Sequence, residues 1–344
     1  MAGPVSAFEQ GAEVLATDTP RLFEAAVRRA AALLRAGEVV ALPTETVYGL
    51  AANAFDARAV ESIYRVKGRP SYNPIIVHVA SIAMARQCVA DWPAVAAGLA
   101  RAFWPGPLTL VLPRSEAIPP VVTAGGPTVG VRWPSHPFIQ AVIRECGFPL
   151  AAPSANLSNR LSPTRAEHVR KWLGDRIPLI VDGGQSHVGI ESTVLDLSVS
   201  PPRVLRPGMI RGQALLAVIG QPRPGSPESG GVLKSPGQLP KHYAPRGKLV
   251  IWKWRDDAEL KARSAECGAR GAKVHVIAHT KIPSAEGFGG VSVIPRDAPG
   301  FARAIYAELH RCDEAGAEWI VVEALPEGDE WAGLADRLRR AAVL

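Results

Sequence analysis

The 344 residues carry 39 Lys+Arg against 32 Asp+Glu, a net charge of +7, with 47% hydrophobic and 21% charged residues. That balance describes a folded chain long enough for two cores and excludes an intrinsically disordered one. No apolar run reaches the roughly 18–20 residues that span a bilayer, and Met1 to Ala16 lacks a basic start followed by an apolar block, so no signal peptide is expected.

In chain order, Val39 to Pro43 reads as a buried strand that ends at the turn Thr44-Glu45-Thr46. Asp56 is placed to cap a helix whose apolar face is Val60, Ile63 and Tyr64 and which ends near Lys67-Gly68. Ile75 to Val79 is an apolar strand. Helical stretches near 82–90 and 93–103 follow. After the turn Trp104-Pro105-Gly106-Pro107, strands are predicted at Leu108–Leu112, Thr128–Arg132, Leu150–Ala152, Leu179–Val181, Thr193–Leu197 and Arg203–Leu205. Many short strands with few long helices between them predict a twisted, mixed α/β sheet over residues 1–212, with a core at about 25–212.

Residues 213–245 change character. Gln221 to Gly231 is dense in Pro, Gly and Ser, as an exposed linker would be. It runs into Ser235-Pro236-Gly237 and then Lys241-His242-Tyr243-Ala244-Pro245, where polar side chains on a proline-stiffened backbone suit a segment lying over a pocket. From 246 to 344 a smaller α/β unit is predicted. It has strands at Leu249–Trp252, Val274–Ala278 and Trp319–Glu323 and helices near 257–266, 299–313 and 331–342, an order that fits a Rossmann-like parallel sheet. No G-x-G-x-x-G follows its first strand, so no dinucleotide is assigned to it.

The charge is uneven in kind. The first 212 residues hold 19 Arg and 2 Lys against 16 acidic residues. Lys67-Gly68-Arg69-Pro70 places an ammonium and a guanidinium on one rigid turn, a pairing suited to a polyphosphate, although a solvated helix end would also favour both. Arg132 and Arg206 each end an apolar strand, where a guanidinium can clamp an anion or make a structural ion pair. Ala152-Pro153-Ser154-Ala155-Asn156 offers small residues that let a ligand approach the backbone, with two hydrogen-bonding side chains. Gly183, Gly184 and Gly189 would allow N–H groups to converge on an anion, or would simply serve a tight turn.

Absences narrow the chemistry. There is no G-x-x-x-x-G-K-[ST] phosphate loop, no G-x-S-x-G elbow and no H-E-x-x-H pair. Cys88, Cys146, Cys267 and Cys312 form no CxxC pair and read as thiols in a reducing, cytoplasmic setting. With no covalent nucleophile in sight, catalysis would rest on positioning and charge neutralisation.

Taken together and in order, PTETVYGL, KGRP, the strand carrying His78, WPGPLTLVL, VGVRWP, PSAN, DGG…GIESTVLDLS and RVLRPG resemble the YrdC/YwlC-like family of L-threonylcarbamoyladenylate synthases. The trailing SPG…KHYAP and the extra α/β unit resemble its long, two-domain form. The resemblance implies a nucleotidyltransferase that condenses L-threonine, bicarbonate or CO2, and ATP with Mg2+, releasing threonylcarbamoyl-AMP and diphosphate. A separate complex would then carry the threonylcarbamoyl group to the adenosine beside a tRNA anticodon.

By motif position the resemblance assigns Lys67 and Arg69 as catalytic phosphate cations. Further ATP contacts fall on Ser71, Thr128, Ser154, Asn156, Ser162, Arg206 and Tyr243. The threonine side takes Thr44, His78, Arg132, Ala152 and Ser192, with Arg132 on the carboxylate. No metal ligands are assigned. One departure is visible, because the family's SPGM is replaced here by a segment with Gln238-Leu239-Pro240. The competing reading is a double-stranded-RNA or ribosome-maturation protein, which would need a basic face and show steep salt dependence.

Overall fold

The computed structural model describes residues 11–220, 223–224, 234, 236, 243–266 and 273–343. The expected Gln221–Gly231 linker apart from residues 223–224, together with Gln238-Leu239-Pro240, Lys241, His242 and Cys267, lies outside the described residues.

The first half is built on β1 (Glu13–Ala16), α1 (Pro20–Arg35), β2 (Val40–Leu42), β3 (Gly49–Asn53), α2 (Ala57–Lys67), β4 (Val77–His78), α3 (Ile82–Cys88), α4 (Ala94–Phe103) and β5 (Leu108–Pro113). It continues with β6 (Thr128–Arg132), α5 (Pro137–Cys146), β7 (Leu150–Ala151), α6 (Ala166–Leu173), β8 (Leu179–Asp182), β9 (Thr193–Asp196), β10 (Arg203–Arg206), α7 (Gly212–Ile219) and β11 (Arg223–Pro224). The strands form one mixed sheet in the order β1-β8-β2-β3-β7-β4-β6-β5-β9-β10-β11.

Each face of this sheet carries its own apolar layer, as a two-sided sheet requires. On one face α2 and α4 bury Val60, Ile63 and Leu99 with Leu110 and Val131 of the sheet. On the other, α1 and α5 bury Ala30, Leu34, Phe138 and Val142 with Leu42 and Val181.

The second half comprises β12 (Lys248–Trp252), α8 (Asp257–Glu266), β13 (Val274–Ala278), β14 (Gly290–Val293), α9 (Ala298–Glu314), β15 (Trp319–Glu323) and α10 (Ala332–Ala341). Its four strands are all parallel, in the order β12-β15-β13-β14. Strand β14 is absent from the sequence-based expectation. It is a short edge strand with an exposed Val293 and lacks the continuous apolar run of its buried neighbours.

The two units are packed together through a shared apolar cluster. Val47, Leu161, Ile190 and Tyr243 join Phe301, Ile305, Tyr306 and Leu338 in it. Two glycine contacts permit this close approach. A Cβ at Gly189 would overlap the backbone of α9 at Ala302 and Arg303, and one at Gly333 on α10 would lie 2.9 Å from Gly208 Cα. His168 and His310 stack across the same boundary with ring centroids 3.8 Å apart.

No helix among the described residues is long and apolar enough to cross a membrane. Cys88, Cys146 and Cys312 are free and buried.

Candidate active site

Strand polarity gathers the polar groups at one end of the central strands. His78 ends β4 and stands beside Arg132 at the end of β6, because these strands run parallel in that register. Strand β9 pairs antiparallel with β10, which brings Ser192, just before β9, to Arg206 at the end of β10. Around these groups lies a cavity of about 50 Å³ lined by Thr44, Thr46, Arg69, His78, Arg132, Ala152, Ser154, Glu191, Ser192, Arg206, Pro236 and Tyr243, among others.

Helix α2 delivers Arg69. Asp56 caps its start by accepting N–H bonds from Arg58 at 2.9 Å and Ala59 at 3.3 Å, and Gly68 ends it in the left-handed region at φ 58°. The guanidinium of Arg69 then donates to the carbonyls of Asn73 (3.1 Å) and Pro74 (2.8 Å). Burial pushes Arg69 down to about 10, so it remains a cation at neutral pH.

Lys67 sits differently from a free phosphate cation. It is fully buried, outside the cavity wall, and its ammonium donates to the carbonyl oxygens of Ser154 and Asn156. Burial and the neighbouring Arg69 push it well below its ordinary value. Its visible work is to hold the loop that carries Ser154 into the wall.

The turn before β3 is tied by Thr44, whose hydroxyl donates to the Val47 carbonyl at 2.6 Å and accepts from the N–H groups of Thr46 and Val47. Beside it, Arg132 is already engaged. Its Nη2 lies 2.6 Å from Glu45 Oε1, its Nη1 donates to Thr46 Oγ1 at 2.9 Å and its Nε donates to the Gly106 carbonyl at 3.3 Å. Burial would raise the Glu45 carboxyl, but Arg132 outweighs it and holds it below its ordinary value. Burial first, and then Arg132, push His78 down to about 3, leaving a neutral imidazole whose Nδ1 has no partner.

Arg206 donates to the carbonyl of Ser192 (3.1 Å), to its hydroxyl (3.1 Å) and to the Pro236 carbonyl (3.1 Å). Tyr243, only 1% exposed, closes this side and is hydrogen-bonded with Arg206.

Four other expected contacts stand elsewhere. Ser71 is exposed and outside the wall. Thr128 begins β6, about 13 Å along the strand from Arg132 by the usual rise per residue. Asn156 is buried behind the wall, its Nδ2 donating to the Arg160 carbonyl at 2.6 Å. Ser162 donates to Glu191 Oε1 at 2.5 Å.

The glycines of the 183–189 loop do not form an anion cradle. The N–H of Gly183 donates to the Tyr48 hydroxyl, that of Gly184 donates to Asp182, and Gly189 serves the packing of α9. Residues that the sequence reading missed are Glu45, Thr46 and Glu191, all inside motifs already singled out, and Tyr306 and Arg337, which reach Glu191 from the second half. A carboxylate within a cation-rich motif was the available signal for Glu45 and Glu191, and none marked Thr46. Nothing in the sequence pointed to the last two.

Arg69, Arg132 and Arg206 are all buried and line one cavity. A duplex-RNA surface needs exposed cations spread over a face, so this arrangement counts against that reading.

Comparison with known proteins agrees with this architecture. The Sua5/YciO/YrdC family model, described as telomere recombination, matches residues 32–208, and the model for the threonylcarbamoyl-AMP synthase C-terminal domain matches residues 210–343. A Bacillus subtilis (strain 168) protein named threonylcarbamoyl-AMP synthase is 41% identical over 95% of this chain and 94% of its own length. One of the same name from Pyrococcus abyssi (strain GE5 / Orsay) is 39% identical over 94% of this chain and 95% of its own. The crystal structure of P. abyssi Sua5 complexed with L-threonine superposes with a TM-score of 0.88 at 37% identity, covering 96% of each chain.

Proposed function

Because this chain belongs to the Sua5/YciO/YrdC family in its two-domain, threonylcarbamoyl-AMP synthase form, we propose that its cavity condenses L-threonine, bicarbonate or CO2, and ATP into threonylcarbamoyl-AMP and diphosphate. The observation that carries this reading is the meeting of two sets of groups around one cavity. Arg69, Arg206 and Ser154 line the same cavity as Arg132, Thr44, His78 and Ser192.

The threonine nitrogen attacks CO2 and loses a proton, forming a carbamate. A carbamate oxygen then attacks the α-phosphorus as the bond to the β-phosphate oxygen breaks, and diphosphate leaves with that electron pair. This nucleotidyl transfer needs cations along the triphosphate and an in-line approach. Arg69 and Arg206 supply the charge.

Arg132 has two of its five N–H donors in hydrogen bonds, while its Nη2, ion-paired with Glu45, makes none, which leaves donors for the threonine carboxylate. His78, neutral well below physiological pH, offers Nδ1 as a hydrogen-bond partner rather than a proton store. Lys67 acts through the Ser154–Asn156 loop, and Tyr243 covers the nucleotide side.

We assign Mg2+ to the triphosphate as part of the substrate. Among the described residues no group of three His, Cys, Asp or Glu side chains could hold a metal, and Glu45 and Glu191 are engaged by arginines. The product would pass to a complex that transfers the threonylcarbamoyl group to the adenosine beside a tRNA anticodon, in the cytoplasm.

The test is a diphosphate-release assay with ATP, threonine and bicarbonate omitted in turn. Release should need all three. Release that persists at full rate without threonine would refute the reading.

A further inference from the structure

Glu191 shares its cavity wall with Arg69 and Arg206, which on the reading above face a nucleotide triphosphate. An unmatched carboxylate there would repel the anion. Its match comes mostly from the other half of the molecule. Arg337 on α10 donates Nε to Glu191 Oε2 at 2.7 Å and Nη2 to the Glu191 carbonyl at 3.3 Å. Tyr306 on α9 donates its hydroxyl to Oε2 at 3.2 Å. From the first half, Ser162 donates to Oε1.

Arg337 is 1% exposed, pairs also with Asp336 at 2.7 Å and lies 5.3 Å above the Tyr243 ring. Burial would raise the Glu191 carboxyl, but Arg337 and then Arg206 hold it below its ordinary value, so it is charged.

We propose that Arg337 is a positioning residue of the active site, supplying from the second domain the counter-charge that lets Glu191 stand beside the nucleotide phosphates. The second domain is then an electrostatic part of the site. The inference rests on the nucleotide reading, although it does not require the complete reaction.

The test compares ATP with uncharged adenosine by titration calorimetry on the full-length protein and on R337M and E191Q/R337M. R337M should bind ATP about tenfold or more weakly, with adenosine affinity changed by less than about threefold. E191Q/R337M, which buries no lone carboxylate, should return ATP affinity to within about threefold of the parent.

Equal weakening of ATP and adenosine in R337M would mark a merely structural role and overturn the proposal. So would unchanged ATP affinity, or a folded double variant no better than R337M. Should R337M fail to fold, the double variant decides. A folded E191Q/R337M with ATP affinity within about threefold of the parent supports the proposal, because the arginine is then needed only while the carboxylate is there. ATP selectively weakened about tenfold in it overturns the proposal. A parent protein that binds no ATP also overturns it. One that binds ATP selectively through this pair but forms no threonylcarbamoyl-AMP would keep the inference and lose the reaction.

Discussion

Arg132, which lines the cavity, faces Glu45 across 2.6 Å, each side chain only 4% exposed. The guanidinium proposed to receive an amino-acid carboxylate is therefore already oriented by a protein carboxylate before any substrate arrives. Orientation of this kind limits what the substrate must pay in ordering and also tempers the pull of the charge.

Removing Glu45 should leave a buried cation without its partner. Glu45→Ala is expected to lower the unfolding free energy by about 3–5 kcal/mol and to raise the threonine KM. Urea unfolding and threonine titrations of diphosphate release check both.

Arg69 and Lys67 should separate by phenotype. Arg69→Ala removes a cation from the cavity and should cost about 2–3 kcal/mol of transition-state stabilisation, roughly 30- to 150-fold in kcat/KM for ATP. Lys67→Ala frees the carbonyls of Ser154 and Asn156 and should lower the melting temperature as well as the rate. Melting curves beside steady-state kinetics distinguish the two.

The stacked pair His168 and His310 should make the domain boundary acid-sensitive. Burial pushes His168 down to about 3 and His310 to about 4, while the unfolded chain protonates both near 6.5. The unfolded state therefore binds more protons between those values, so stability is full above pH 6.5 and falls as the pH drops towards 4. Each histidine contributes a slope of about 1.4 kcal/mol per pH unit in that window. His310→Phe should flatten the dependence by about one such slope, as read from urea midpoints at pH 4.5 to 7.

Ending the chain after Ala244 should do more than slow the enzyme. It would uncover Val47, Leu161, Ile190 and Tyr243, which the second half buries, and would strip Glu191 of Arg337 and Tyr306. The truncated protein is expected to melt earlier and to bind an apolar fluorescent dye. A fragment with full stability and undiminished ATP affinity would contradict this account.

Much of the frame could be read from residues alone. Asp56 and Gly68 mark both ends of α2, and apolar runs such as Leu108–Leu112 mark central strands, because a strand buried on both faces needs apolar residues throughout. Strands β1 and β14 escaped, since edge strands carry exposed and polar positions. So did the central strand β3, whose Gly and Ala residues give no β-branched run, and the helices α1, α5, α6 and α7. At the site, the arginines at strand ends were legible because a cation closing an apolar strand is conspicuous. Their employment was not. Whether Lys67 points to a ligand or to two carbonyls depends on a loop some 90 residues later, and Ser162 and Thr128 differ only in where the chain carries them. Arg337 was beyond reach, because a single arginine on an amphipathic helix gives no hint that it crosses a domain boundary.

The bare backbone contacts at Gly189 and between Gly208 and Gly333 bear on how this protein can be recombined. With no side chain to cushion those contacts, a second half borrowed from a relative would fit only if its own helices arrive at the same height. Chimeras should therefore succeed or fail as matched sets, with those three glycines travelling together with Glu191 and Arg337.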